Sequence, residues 1–124
     1  MGKIHLFSDL NAWKEAYELV ILVYKLTDKF PAKENYALTG QMRRSAVSIS
    51  SNIAEGFSRR GKREKILFYS TSLGSLTELQ SQVLIAKGVG YLSGEDVAAI
   101  NERLTVVHKL INGLIKGVTK LHNT

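Results

Sequence analysis

The chain has 124 residues, no cysteine and a formal net charge of +6 at neutral pH, and 44% of its residues are hydrophobic. This length fits a single domain over residues 1–124, and the hydrophobic fraction is ordinary for a globular protein. Without cysteine there are no disulfides and no thiolate metal sites. No membrane-spanning run or signal-peptide pattern is present, so we expect a cytoplasmic protein.

The first predicted helix covers residues 10–30. Asp9 offers a carboxylate for the N-cap, and Pro31 ends the helix because proline cannot donate a hydrogen bond to the helical ladder. Apolar residues occupy two faces of this helix, a wider band than one antiparallel neighbour covers. We therefore expect the helix either to be central in a monomer or to contact another subunit.

The second predicted helix covers residues 36–57 and carries several serines beside an apolar stripe. Serine weakens an isolated helix, so tertiary contacts must hold this one, and the small side chains let a neighbouring helix approach closely. Polar side chains in and opposite this helix are expected to form a structural network, whose members are Gln41, Arg44, Asn52, Glu55 and Glu78.

The third and fourth predicted helices cover residues 62–89 and 94–122. Glycines mark the turns, and Ser93 with Asp96 forms a capping-box pattern at the start of the fourth helix. That helix repeats apolar residues at steps of three and four, which is typical of helices packed at shallow angles. Because the connections are short, the predicted fold is all-α, an antiparallel up-down-up-down four-helix bundle.

Arg44 and Glu78 are expected to form an ion pair. If the second and third helices turn near Arg60, the two residues lie at nearly the same height, because both helices rise equally per residue. Glu78 is also the sole acid between Lys65 and Glu95. The prediction is a partly buried pair, either across the two helices or between subunits.

The positive charge is concentrated in one segment. Residues 38–65 hold seven Lys or Arg against two acids, which gives +5 of the net +6. A solvated basic turn and a polyanion site both explain such a cluster. The residues expected to contact phosphates are Arg43, Arg59, Arg60, Lys62, Arg63 and Lys65. Because no base-reading pattern accompanies them, binding should depend on the nucleic-acid backbone and shape more than on sequence.

Three segments carry a family resemblance: "FSDLNAWKEAYELV", "LTDKFPAKENYALTGQMRRSAVSISSNIAEG" and "LGSLTELQSQV". Over roughly residues 7–92 they resemble the 23S rRNA intervening-sequence protein family, also called the four-helix-bundle protein family. The resemblance implies a bacterial four-helix bundle and a homopentamer, since some relatives form one. Accessory proteins of diversity-generating retroelements look similar and combine a pentameric barrel with nucleic-acid and reverse-transcriptase binding. No biochemical activity is established for the family.

The sequence does not favour an enzyme. Its three histidines, His5, His108 and His122, are scattered, and no two have the spacing of metal ligands on one helical face. The serines lack a histidine or lysine base nearby in the inferred helices, and there is no phosphate-binding glycine loop between a strand and a helix. We therefore predict no catalytic residue, no metal and no cofactor.

Two classes of function remain. The first is a non-catalytic oligomer that binds RNA, such as 23S rRNA, or another nucleic acid through the turn between the second and third helices. The second is a scaffold or accessory subunit for a protein partner, for example a reverse transcriptase. In that case the basic turn only solubilises the protein.

Overall fold

The computed structural model describes residues 4–122 of the chain, with four α-helices, two single-turn 3-10 helices and no strand in that range. The α-helices are α1 (Asn11–Thr27), α2 (Leu38–Ser58), α3 (Lys62–Gly88) and α4 (Gly94–His122). The first 3-10 helix, Phe7–Asp9, precedes α1, and the second, Ala32–Glu34, lies in the connection between α1 and α2. The all-α prediction is confirmed.

The four helices form an up-down-up-down bundle in which each packs against its neighbours in sequence and α4 closes against α1. The most extensive contact joins α2 and α3. The α2–α3 end of the bundle carries the turn between those helices together with the start of α1 and the last turns of α4. The α3–α4 end carries the turn between those helices and the connection from α1 to α2.

The core is one continuous apolar layer to which all four helices contribute. Removing each such side chain from water contributes on the order of 1.5–3 kcal/mol. The largest fully buried residues are Leu19, Val23, Met42, Ile49, Ile53, Leu76, Leu79, Val83, Ile100, Leu104, Val107 and Ile111. The apolar repeat predicted for α4 is buried from Val97 to Ile111, and it continues as partly buried residues towards the end of that helix.

The predicted N-cap of α1 was wrong, although the helix begins within one residue of the predicted start. Asp9 lies in the preceding 3-10 helix, and Leu10 occupies the N-cap position without a side-chain cap. Leu10 is buried in the core, so packing decides where the helix begins. The neighbouring aromatic side chains form a small cluster, because Trp13 lies 5.3 Å from the Phe7 ring and 5.5 Å from the Tyr17 ring between centroids.

The connection between α1 and α2 also differs from the prediction. α1 ends at Thr27, whose hydroxyl donates to the Val23 carbonyl at 2.7 Å, and the chain then leaves the helix before Pro31. α2 begins at Leu38 rather than at residue 36, because a 3-10 turn intervenes. The Glu34 carboxylate at the end of that turn accepts a hydrogen bond from the Leu38 amide at 3.3 Å.

The turn between α3 and α4 follows the predicted capping pattern. Gly90 has φ 87°, the left-handed conformation that glycine adopts without strain after a helix. The Asp96 amide donates to the Ser93 hydroxyl, and the Ser93 amide donates to the Asp96 carboxylate, each at 3.1 Å. This reciprocal pair confirms the capping box and fixes the start of α4.

The small residues of α2 are packing surface, as predicted. The Ser72 hydroxyl of α3 donates to the Ile49 carbonyl at 2.8 Å, and the Ser48 and Ser75 hydroxyls share a hydrogen bond of 2.8 Å. Short side chains let the two helices approach closely enough for these contacts. Within residues 4–122, no helix is sufficiently long and apolar to cross a membrane.

Candidate nucleic-acid interface

The turn between α2 and α3 is held tightly by packing around Gly56. A Cβ atom at this position would lie 2.6 Å from the Tyr69 ring, which is itself only 2% exposed. α2 ends at Ser58, and α3 begins at Lys62 after the N-cap Gly61, which supplies no side-chain cap. The first amides of α3 therefore lack a capping side chain, and they lie beside the basic residues of the turn.

Lys65 is a structural residue of this turn. Its Nζ donates to the Phe57 carbonyl at 2.8 Å and to the Gly56 carbonyl at 3.2 Å, so it closes the C-terminus of α2. The same ammonium lies 5.5 Å from the centroid of the Phe57 ring. Burial lowers the pKa of Lys65 below its usual value. Two of its three N–H donors are therefore engaged within the fold, and a phosphate contact by Lys65 stays a prediction.

Arg59 lies flat against the turn. Its guanidinium donates to the Glu55 carboxylate at 3.0 Å and stacks over the Phe68 ring at 4.8 Å from the centroid. Both charged side chains are largely exposed, so this ion pair contributes only about 0–1 kcal/mol. Glu55 nevertheless offsets part of the local positive charge.

Arg60 and Arg63 are the predicted residues that the fold leaves directed to solvent. Both are exposed, and neither side chain forms a hydrogen bond or ion pair within the described part of the chain. Lys62 between them is half-buried and has a contact of its own within the chain. The acidic residue nearest in sequence is Glu64, which is also exposed.

Arg43 does not join this cluster, contrary to the prediction. It lies on α2, sixteen residues before Arg59 at the C-cap of that helix, which corresponds to about 24 Å. Its Nε donates to the Thr27 hydroxyl at 3.0 Å, and another guanidinium nitrogen lies 3.4 Å from the Tyr24 carbonyl. The guanidinium also stacks over the Tyr24 ring at 4.5 Å. Arg43 therefore closes the C-terminus of α1 at the opposite end of the bundle.

The predicted polar network does not form as one unit within the chain. Asn52 donates to the Ser48 carbonyl at 2.8 Å, which satisfies the predicted need for a partner, but Glu55 pairs instead with Arg59. Gln41 is exposed on the outer face of α2.

The predicted ion pair between Arg44 and Glu78 is likewise absent within the chain. Both residues are exposed, and no ion pair joins them. Their heights in the bundle agree, but each side chain projects outward from its own helix. Pairing between subunits remains a prediction.

The structure adds two lysines that the sequence interpretation missed. Lys116 and Lys120 are exposed on the last turns of α4, and the bundle topology brings those turns to the α2–α3 end. Lys120 follows the α3–α4 turn by about as many residues as Lys62 precedes it, so the two lie at a similar height. A sequence signal was present, because no Asp or Glu follows Glu102.

The described residues contain no cluster that resembles a metal site. No group of three or more His, Cys, Asp or Glu side chains within residues 4–122 is placed to hold a metal ion. His5 and His108 are exposed, and the side chain of His122 lies outside the described part of the chain. One open surface cleft between α1 and α4 is lined by Glu15, Leu22, Ala99, Glu102, Arg103 and Val106, and Arg103 forms a 3.0 Å ion pair with Glu15 there.

Comparison with known proteins places this arrangement in a family. A crystal structure of a protein of unknown function from the S23 ribosomal protein family of Bacteroides thetaiotaomicron superposes with a TM-score of 0.76 and 21% sequence identity. The superposition covers 85% of this chain and 95% of that chain, and it shows a shared fold. No curated protein matches the sequence. The family model described as 23S rRNA-intervening sequence protein matches residues 8–113, nearly the whole bundle, and the chain belongs to that family.

Proposed function

We propose that this protein is a non-catalytic RNA-binding protein that contacts RNA phosphates with the α2–α3 end of its bundle. The observation that carries the proposal is the exposed basic turn, in which Arg59, Arg60 and Arg63 are exposed and the side chains of Arg60 and Arg63 form no ion pair within the described part of the chain. The acidic residues at the same end are few, and one of them, Glu55, is already paired with Arg59. An exposed cationic surface with so little compensation attracts polyanions and releases their counterions on binding.

The position of the two arginines supports the same function. Cationic side chains beside a helix N-terminus are unfavourable when nothing is bound, because they oppose the positive end of the helix dipole. Arg60 and Arg63 flank the start of α3, which has no side-chain cap. A nearby phosphate would relieve this repulsion. The family name, 23S rRNA-intervening sequence protein, makes structured rRNA the first RNA to test.

The experiment compares two double variants of equal charge change. Arg60→Gln with Arg63→Gln removes exposed charge at the α2–α3 end, whereas Lys25→Gln with Lys29→Gln removes it from exposed positions at the other end. Binding to a structured rRNA fragment is measured by filter binding across a salt series. We expect only the arginine variant to lose affinity and to flatten the log–log salt slope, by roughly 0.7–0.9 per lost contact. Equal behaviour of both variants, or a parent protein that does not bind, contradicts the proposal.

A second proposal, self-association, rests on apolar side chains that the bundle leaves exposed. On α1, Tyr17, Ile21 and Tyr24 form an exposed row at helical spacing, which accounts for the wide apolar band in its sequence. On α3, Leu67 and Leu84 are 63% and 64% exposed. Apolar side chains that lie together on an exposed face, as this row on α1 does, often mark an interface. We propose a homo-oligomer, and the family resemblance suggests five copies. Light scattering at micromolar concentration should show an oligomer, and a persistent monomer would contradict it.

The same exposed faces also suit a different protein partner, as in a scaffold or an accessory subunit of a reverse transcriptase. Oligomer size and RNA binding, measured together, separate the two roles. Ile21→Lys should dissociate a homo-oligomer if α1 is the contact between copies. If the parent protein is monomeric and does not bind RNA, the scaffold role is favoured instead.

Arg44 and Glu78 provide a sharper test of contact between copies. Each is an isolated exposed charge on the outer face of its helix. If they pair between subunits, Arg44→Glu alone or Glu78→Arg alone should shift the protein towards smaller species, and the combined swap should restore the parental size. Because both residues are exposed in the single chain, its folding stability should change by only about 0.5 kcal/mol or less. An unchanged size in both single variants excludes the pair.

A further inference from the structure

The outer face of α4 carries a row of lysines that is separate from the basic residues of the α2–α3 turn. Lys109, Lys116 and Lys120 are all exposed. At about 100° per residue they lie within about 40° of one another, on the side of the helix opposite to the buried Val107 and Ile111. At about 1.5 Å per residue the row is about 16 Å long.

No acidic side chain interrupts this row. Glu102 lies on the same face two turns before Lys109, and no Asp or Glu follows it in the sequence. Like charges separated by one turn, such as Lys116 and Lys120, repel each other and destabilise a helix. Between the lysines, Gly113 and Gly117 are exposed and have nothing within 4 Å of an added Cβ. The lysines therefore stand on a low, uncharged surface that a large ligand can approach.

The row ends at the α2–α3 end of the bundle, beside the exposed arginines of the turn. Lys120 lies at about the height of Lys62, and α4 packs directly against α3. The cationic surface therefore continues from Arg60 and Arg63 around the end of the bundle and up the outer face of α4.

We propose that Lys109, Lys116 and Lys120 form a second part of the RNA-binding surface and that this surface holds the phosphate backbone of double-helical RNA. The inference rests on the proposed function and deepens it. Lysine binds phosphate as a point charge, without the planar fork that arginine uses for bidentate recognition. Proteins that bind single strands use aromatic side chains to stack on bases, whereas residues 103–120 contain no Phe, Tyr or Trp. A row of lysines without aromatic residues therefore fits a stacked helix better than a single strand.

The experiment uses the full chain, a short RNA hairpin and an unstructured RNA strand of equal length. Lys109, Lys116 and Lys120 are changed together to Gln, and the matched control changes Lys25, Lys29 and Lys33, which are exposed at the other end of the molecule. Circular dichroism checks that both variants keep their helical content. We expect the α4 variant alone to lose hairpin affinity, with the salt slope flattened by roughly 2–3 if all three contacts are lost. The parent should prefer the hairpin.

The outcomes separate the inference from the proposed function. If the variant of Arg60 and Arg63 loses affinity while the α4 variant binds like its control, the lysine row is not part of the surface and the proposed function stands. If the parent prefers the single strand, the assignment to double-helical RNA is wrong. A parent that binds neither RNA overturns both proposals.

Discussion

The two ends of the bundle use their charged residues in different ways. At the α3–α4 end several polar side chains pair within the fold: Arg43 closes α1, Glu34 accepts from Tyr91 at 2.9 Å, and Ser93 caps α4 with Asp96. At the α2–α3 end Lys65 likewise donates to a carbonyl at the end of α2, but Arg60 and Arg63 are directed to solvent. The exposed lysines at the α3–α4 end, Lys25, Lys29 and Lys33, share their segment with the acids Asp28 and Glu34, whereas the α2–α3 turn holds five cations against Glu55 and Glu64.

The largest change in the free energy of unfolding is expected from adding a methyl group at the tightly packed α2–α3 end. Gly56→Ala places a methyl group 2.6 Å from the buried Tyr69 ring, so the ring or the helix must shift. Overpacking of this kind costs about 1–3 kcal/mol in the free energy of unfolding, measured by urea denaturation. Gly113→Ala is the matched control, because nothing lies within 4 Å of its added methyl group, and it should stabilise by about 0.5–1 kcal/mol. Equal effects at the two positions would contradict the tight contact at Gly56.

Removing the Arg43 side chain at the α3–α4 end should have a somewhat smaller effect on the free energy of unfolding. Arg43→Gln loses the hydrogen bond to Thr27 and the stacking on Tyr24, and it should destabilise by about 1–2 kcal/mol. RNA affinity and its salt dependence should not change, since this side chain is remote from the proposed surface. A flattened salt slope, like that expected for the Arg60 and Arg63 variant, would remove the distinction between the two ends.

Loss of the Lys65 side chain should change the free energy of unfolding less than loss of Arg43 does. Lys65→Met removes the charged donor from the Gly56 and Phe57 carbonyls but keeps an aliphatic side chain of similar length. We expect the free energy of unfolding to fall by about 1 kcal/mol, because partial solvent exposure weakens the contribution of the charge. Lys87→Met, at an exposed position on α3, should be nearly neutral by the same denaturation measurement. If Lys65→Met is equally neutral, the cap does not stabilise the turn.

The smallest effect concerns pH at the α3–α4 end. The hydrogen bond to Glu34, together with burial and the Glu34 charge, raises the pKa of Tyr91 above its usual value. The resulting stabilisation is fully present below about pH 10 and is lost as the pH rises through the folded-state pKa. The stability difference between the parent and Tyr91→Phe should therefore be constant at neutral pH and shrink in alkali. A difference that stays constant up to pH 11 would contradict this coupling.

Periodicity in the sequence predicted the helices well because their packing is regular. The buried positions of α4 recur at steps of three and four, and the predicted range 94–122 matches the observed helix. The N-cap of α1 was assigned to the wrong residue because two requirements compete there. The carboxylate of Asp9 suits an N-cap, but burial of Leu10 favours another conformation, and local sequence preferences do not weigh a tertiary contact.

The basic site could be predicted only in part, because charge in sequence does not reveal partners in space. Arg60 and Arg63, which the sequence predicts to contact phosphates, are exposed, and that contact stays a prediction. Arg43 was misplaced because its partners belong to another helix. Lys116 and Lys120 were missed because they reach the same end only through the antiparallel path of the chain, although the absence of acids after Glu102 was visible in the sequence.

The aromatic cluster at the start of α1 gives the protein an internal optical probe. Trp13 is the chain's single tryptophan, it is half-buried between Phe7 and Tyr17, and it lies at the α2–α3 end. Indole emission responds to changes in nearby polarity and stacking, so an RNA that docks at this end should alter the fluorescence, whereas one that docks at the other end should leave it unchanged. The location of binding can thus be followed in solution without attaching a dye.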